Sequence, residues 1–162
     1  MANYLQGTSY RDLNYGPQVA KTAVANGITA AVNLFTVSTG NVMITSLTGV
    51  VTTVAATTGT MTIGVTSSNA TVATALAAAT TVSTSHKAGT CLALQPAALA
   101  TTGNTATTSA MAVGTAGVVG ASPIGAVVPS GGIITATTSS NMGGNISWYL
   151  TYVPLDAGAY VS

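Results

Sequence analysis

Charge is what this sequence has least of. In 162 residues the formally charged side chains are Arg11, Asp12, Lys21, Lys87 and Asp156, and residues 22–86 and 88–155 contain no Asp, Glu, Lys or Arg. The charged fraction is 3%, against roughly a quarter in ordinary soluble domains. Three scattered cations cannot neutralise a track of phosphates, which excludes a nucleic-acid-binding surface. Two carboxylates and one histidine leave too few titratable groups for most acid–base chemistry, so no catalytic residues are assigned and an enzyme is not expected. Disorder of the polyelectrolyte kind needs high net charge and low hydrophobicity. Here the net charge is +1, 48% of residues are hydrophobic and the mean hydropathy is +0.55.

Long apolar runs are also missing. Thr, Ser, Gly or Asn interrupts each one well short of the roughly 20 residues that a spanning helix needs. The richest stretch, Leu92 to Ala100, contains Gln95 and Pro96. The beginning, MANYLQGTSYRDLNYG, has no cationic segment leading into an apolar one, so no secretory signal is read and synthesis in the cytoplasm is expected. The single cysteine, Cys91, cannot close an internal disulfide. Its apolar setting, TCLAL, predicts a buried, inert thiol. Aromatics are absent from 36–147, between Phe35 and the cluster Trp148, Tyr149, Tyr152 and Tyr160. Large rings supply much of the apolar area of most cores. A middle without them predicts thin, closely spaced layers anchored near the two ends.

What is abundant is small: 30 Thr and 28 Ala beside 18 Gly. Thr and Val are β-branched and suit a pleated, half-buried surface. In Gly59–Thr66, Met61, Ile63 and Val65 alternate with Thr60, Thr62 and Thr66; in Asn145–Pro154, Ile146, Trp148, Leu150 and Tyr152 share one face. Both runs have the period of two that marks strands. Further strands are predicted near 30–38, 41–48, 49–56, 80–84, 90–95, 110–119, 124–128 and 132–138. Turns are read at Thr39-Gly40-Asn41, Thr58-Gly59, Ser67-Ser68-Asn69, Ala88-Gly89, Gly103-Asn104, Ser130-Gly131-Gly132 and Asn141 to Gly144. About ten short strands at this spacing predict an all-β domain, a β-sandwich or jelly-roll-like barrel, over residues 28–162. Ala70–Ala79 is a helical rival, because its alanines raise helix propensity. Residues 1–27 are aperiodic and read as an extended N-terminal arm.

Thr, Ser, Ala and Gly on outward positions can be covered by neighbours at modest cost, since a hydroxyl is easily paired and a charge is not. Few charges also mean little repulsion between copies. Gatekeeper Lys and Glu, which normally blunt exposed strand edges, are lacking. All three features point to a chain that works inside an assembly.

Candidate chemistry is sparse. His86-Lys87 lies in a polar loop, and one histidine without carboxylates makes neither a triad nor a metal site. Cys91 and His86 are separated by five residues, which puts them on opposite faces of a regular strand. No glycine-rich turn has a phosphate-binding spacing, and no cofactor or metal is implied. Asn69-Ala70-Thr71 and Asn145-Ile146-Ser147 match the glycosylation pattern only as short strings. Tyr4, Tyr10, Arg11, Asp12 and Tyr15 are the candidates for a docking arm that lies against another chain. Phe35, Trp148, Tyr149 and Tyr152 are candidates for the core or for a subunit interface. A surface of ordered hydroxyls, as in Thr58-Gly-Thr60-Met-Thr62, lacks the fixed repeat that would extend it along the chain.

Trp148 to Ala159 (WYLTYVPLDAGA), taken with Leu34-Phe35-Thr36-Val37, Gly40 to Ile44 and Gly49 to Thr53, resembles the small Thr/Ala/Gly-rich virion proteins of tailed bacteriophages. These include capsid decoration, or cement, proteins. The resemblance spans roughly residues 28–160, with specific motifs only at its two ends. It implies a β-rich structural protein, often a homotrimer, that sits on the major capsid protein at local symmetry axes and stabilises the head. It also implies a place on the capsid exterior of the virion, with no membrane and no nucleic acid as partner. The alternative within the virion is a tail or head-fibre component that contacts host surface glycans through Tyr149 or Tyr160.

Overall fold

The computed structural model describes residues 16–25, 31–66, 74–76, 79–94, 111–114 and 126–162. Among them the regular structure is all strand, and no helix is long and apolar enough to cross a membrane. In chain order the strands are β1 (Gln18–Ala25), β2 (Val32–Ser38), β3 (Val42–Thr53), β4 (Gly59–Thr66), β5 (Thr74–Ala75), β6 (Thr80–Val82), β7 (Cys91–Leu94), β8 (Met111–Gly114), β9 (Ala126–Val128), β10 (Ile133–Thr138), β11 (Asn145–Pro154) and β12 (Tyr160–Val161). They form two wholly antiparallel sheets. The first runs β1-β11-β3-β7-β8, with β9 beside β7 on the same side of β3. The second runs β12-β2-β10-β4-β5, with β6 beside β5 along β4.

The pairing is nested. β1 joins β11, β2 joins β10, β3 joins β7, and β4 joins β5 and β6, while the chain crosses between the sheets at each early step. That nesting is the wiring of a jelly roll, two packed sheets made by folding one long hairpin over on itself. The expected β-sandwich or jelly-roll-like architecture is the one found.

The two inner faces share one core. Ile44, Leu47, Leu92, Ile146, Trp148 and Leu150 come from the first sheet; Phe35, Val37, Met61, Ile63 and Ile134 come from the second. Apart from the two rings, all of these are aliphatic or thioether side chains. Trp148 fills the middle at 1% exposure. It sits directly opposite Gly49, where a Cβ would come within 2.9 Å of the ring. Gly49 is therefore the seat of the indole. The sequence expectation of separate strands at 41–48 and 49–56 is corrected here to the single strand β3.

β3 stays continuous across two bulges. Thr45 is an extra residue between the Ile44–Tyr152 and Ser46–Thr151 pairs, and Thr52 is extra between Val51–Ile146 and Thr53–Asn145. The first bulge lets Val42 and Ile44 point inward and then Leu47 and Val51 do the same, although no period of two joins them. A third bulge lies in β1 between Lys21 and Val24, where Ala23 takes φ 50 and its N–H donates to Ser147 Oγ at 3.0 Å.

Three other expectations need adjustment. Gln18–Ala25, read as the end of the arm, is an edge strand paired to β11. Its alternation is hidden because almost every side chain in it is exposed. Cys91 is half-buried on the outward side of β7, because Leu92 takes the inward position. In the helical rival, Thr74–Ala75 is strand paired to β4; its remaining residues lie outside the described set, apart from Leu76 and Ala79.

Candidate interaction surface

A functional surface has to be built from what faces outward, and strand register decides that. On the first sheet the outward residues line up in rows across the strands. Val127, Met43 and Val153 make an apolar row over β9, β3 and β11. Next comes a hydroxyl row: the bulge turns Thr45 and Ser46 to the same side, and Thr151 Oγ1 bonds both, at 2.8 and 2.6 Å. Then Ala93, Thr48, Tyr149 and Ala20 align across β7, β3, β11 and β1. Cys91, Val50 and Ser147 close the series. Val127 is 59% exposed, while Met43, Val50, Tyr149 and Val153 are half-buried, and Ala93 and Ser147 in the same rows are already buried by the chain itself. No charged side chain stands in these rows.

The outward side of the second sheet is different. Thr60, Thr62 and Thr66 on β4, Thr135 and Thr137 on β10, Thr36 on β2 and Thr81 on β6 make a grid, with Thr62 directly opposite Thr137 and Thr60 opposite Thr81. Thr135 is buried even here, with its hydroxyl directed to Gly64 O at 3.4 Å. This face is richer in hydroxyls than the first, although Ile133, opposite Thr66 and Thr36, and Tyr160, opposite Ser38 and 50% exposed, stand on it too.

The described charges stand at the margins. Lys21 belongs to the edge strand β1, opposite Trp148, so it leaves the inner side of the sheet. Its Nζ donates to Asn33 O of β2 at 2.6 Å, joining the two sheets. A lysine placed on an edge, together with a bulge, obstructs pairing with a foreign strand. The expectation that gatekeeper lysines are lacking is corrected by Lys21. Asp156 Oδ2 accepts the Asn41 N–H at 2.8 Å and Asn41 O accepts from Leu155 N, so this carboxylate ties the β2–β3 turn to the segment after β11.

The loop holding the single histidine is closed on itself. His86 Nδ1 accepts the Ser83 N–H at 3.2 Å, and the His86 N–H donates to Ser83 O. The Ser83 and Ser85 hydroxyls bond each other, and Cys91 Sγ is directed to Gly89 O at 3.6 Å. Among the described residues no three His, Cys, Asp or Glu side chains converge.

Of the residues singled out from the sequence, Tyr4, Tyr10, Arg11, Asp12 and Tyr15 lie outside the described residues. Phe35, Trp148 and Tyr152 are in the core, at 1%, 1% and 7% exposure, and Tyr149 is on the outer face of the first sheet. The indole Nε1 of Trp148 is buried and has no hydrogen-bond partner among the described residues. The alternation of β11 separates Tyr149 from its aromatic neighbours, so the aromatics serve two surfaces. Met43, Val127 and the Thr45–Ser46–Thr151 cluster were not visible from the sequence. Their proximity depends on which strands pair and on a bulge, and no spacing along the chain encodes either.

Comparison with protein-family models, curated proteins and solved structures finds no match to this chain.

Proposed function

We propose that this chain is a non-enzymatic structural protein of a tailed-phage virion: a decoration or cement protein that binds the major capsid protein on the outside of the head. In this reading it adds contacts between shell subunits and raises the resistance of the shell to internal pressure. The observation that carries the reading is the distribution of charge over the sandwich. Both broad faces are neutral, and the described charges are confined to edges and loops. Neutral surfaces of methyl, ring and hydroxyl groups lose little on being covered, because no ion has to be desolvated. A protein that must sit between neighbours for the life of a particle benefits from such faces.

The resemblance of the two end segments to phage virion proteins supports the same role. So does the jelly roll, a fold that capsid proteins use among many others. Residues 1–15, with Tyr4, Tyr10, Arg11, Asp12 and Tyr15, are assigned as the docking arm. The resemblance favours a trimer, with synthesis in the host cytoplasm. The glycan-binding alternative is favoured by one feature: the Tyr160 ring is 50% exposed on β12.

The test is co-sedimentation of the purified chain with assembled phage shells stripped of accessory proteins. Saturable pelleting at a fixed number of copies per shell is expected, and a chain left in the supernatant at every ratio overturns the assignment. Deleting residues 1–15, which leaves β1 intact, is expected to abolish pelleting. Undiminished pelleting removes the arm from the docking contact.

A further inference from the structure

We infer that the outer face of the first sheet is a self-association surface, and that its occupant is the same face of a second copy of this chain. The inference rests on the assembly reading in one respect, that these neutral faces exist to be covered. It goes further by choosing the face and the partner.

Size is the first ground. β3 has 12 residues, which makes the face about 40 Å long at roughly 3.4 Å per residue. Its width over β1, β11, β3 and β7 or β9 is about 19 Å at roughly 4.8 Å per strand. The footprint, about 750 Å² in plan, is large enough to seat a pairwise interface of ordinary size.

Chemistry is the second. Met43, Val127 and Val153 form an apolar row at one end, Val50 and Cys91 lie near the other, and Tyr149 stands between. The hydroxyls in the middle already bond one another, so Thr45, Ser46 and Thr151 enter an interface with partners in place. The face can therefore be dried without leaving those groups unpaired. The second sheet is the poorer candidate, because among the described residues its outward apolar side chains stand apart, Ile133 half-buried among threonines and Tyr160 at the β12 edge, and make no contiguous apolar row.

The choice of partner follows from charge. About a quarter of an ordinary protein surface is charged, and covering such a surface with a neutral face strands its ions without counter-ions. Among the described residues this face carries no ion. Two copies related by a two-fold axis meet with no like-charge contact and no buried unpaired charge. The edges favour face-to-face packing over edge-to-edge growth, since the β1 edge is obstructed by Lys21 and by the bulge at Ala23.

Cys91 is a built-in reporter: it is the only thiol in the chain and stands half-buried on this face. The experiment uses the full-length chain. Its mass is measured by sedimentation equilibrium, and Cys91 alkylation by iodoacetamide is followed by mass spectrometry at low and high protein concentration. The expected result is a two-copy mass, with alkylation about tenfold slower at about 200 µM than at about 2 µM. Val127→Asp, at an exposed position of the face, should return the mass to one copy and make alkylation independent of concentration. Thr137→Asp on the second sheet should change neither. A one-copy mass throughout overturns the inference, and so does the three-copy mass that the virion resemblance favours. So does any association in which Cys91 reacts at its dilute rate, or in which Val127→Asp associates like the parent chain. Shell co-sedimentation reads the decoration role separately, and it can succeed whether or not the pair forms.

Discussion

The two outer faces of the sandwich share a poverty of charge and differ in almost everything else. The first sheet turns Met43, Val127, Val153, Val50 and Tyr149 outward around a small hydroxyl cluster. The second presents a threonine grid from β2, β4, β6 and β10. Both could be covered by a neighbour without stranding an ion. The first offers a contiguous apolar row to cover, whereas the second sets Ile133 and Tyr160 apart among threonines whose hydroxyls are solvated, and association follows the apolar area removed from water. Low charge permits burial in an assembly; the apolar rows give it a direction.

That contrast can be broken or sharpened at four levels. The deepest break is Trp148→Ala, which empties the middle of the core on which both faces rest. Unfolding in urea should show a loss of about 3–5 kcal/mol. Trp148→Phe should cost much less than that, since it keeps most of the ring and removes a buried donor that has no partner among the described residues. Next comes Gly49→Ala. Its Cβ would meet the Trp148 ring at 2.9 Å and Ile146 Cγ2 at 3.0 Å. The crowding should cost about 1–3 kcal/mol in the same measurement and disturb the first sheet more than the second, as read by amide exchange of β3 against β4. A comparable loss is expected for Gly144→Ala, where φ is +72 and a Cβ would lie 2.5 Å from Thr53 O.

The third level turns one face into the other. Replacing Thr60, Thr62 and Thr137 together by Val gives the second sheet an apolar stripe. Folding stability should change by no more than about 0.5 kcal/mol per site. Light scattering should report assemblies larger than those of the parent chain, because a second associating face has been made. Unchanged scattering would mean that the hydroxyls are not what keeps this face in water. The smallest effect is expected for Lys21→Ala, which removes the bond to Asn33 O at the exposed margin. Thermal unfolding should move by less than the equivalent of about 0.5 kcal/mol, while seeded fibre growth should accelerate as the β1 edge loses its obstruction.

The fold was legible in the sequence to different depths. The bounds of β4 and β11 could be read to the residue, because their large apolar side chains, Met61 and Ile63 in one and Ile146, Trp148, Leu150 and Tyr152 in the other, fall on alternate positions and are buried. β3 was read as two strands, since its bulge at Thr45 shifts the alternation and Gly49 looks like punctuation until the indole is placed over it. β1 was read as arm, because a strand on the margin of a sheet buries almost nothing and shows no pattern. Tyr149 could be separated from Trp148 by alternation alone. The rows it joins could not, because Ala20, Thr48 and Ala93 come from three distant stretches of chain.

By itself the sequence determined that this would be an all-β sandwich with neutral faces and no charged interior, because composition and period are properties of the chain that no partner can alter. Tertiary structure decided the rest. It wound the strands into nested pairs, sent Lys21 across to the other sheet, made Gly49 the floor beneath Trp148, and lined up Val127, Met43 and Val153 as one apolar row. The physical reason is register: a strand encodes which residues share a face, but only its neighbours decide which face that is and what stands beside it.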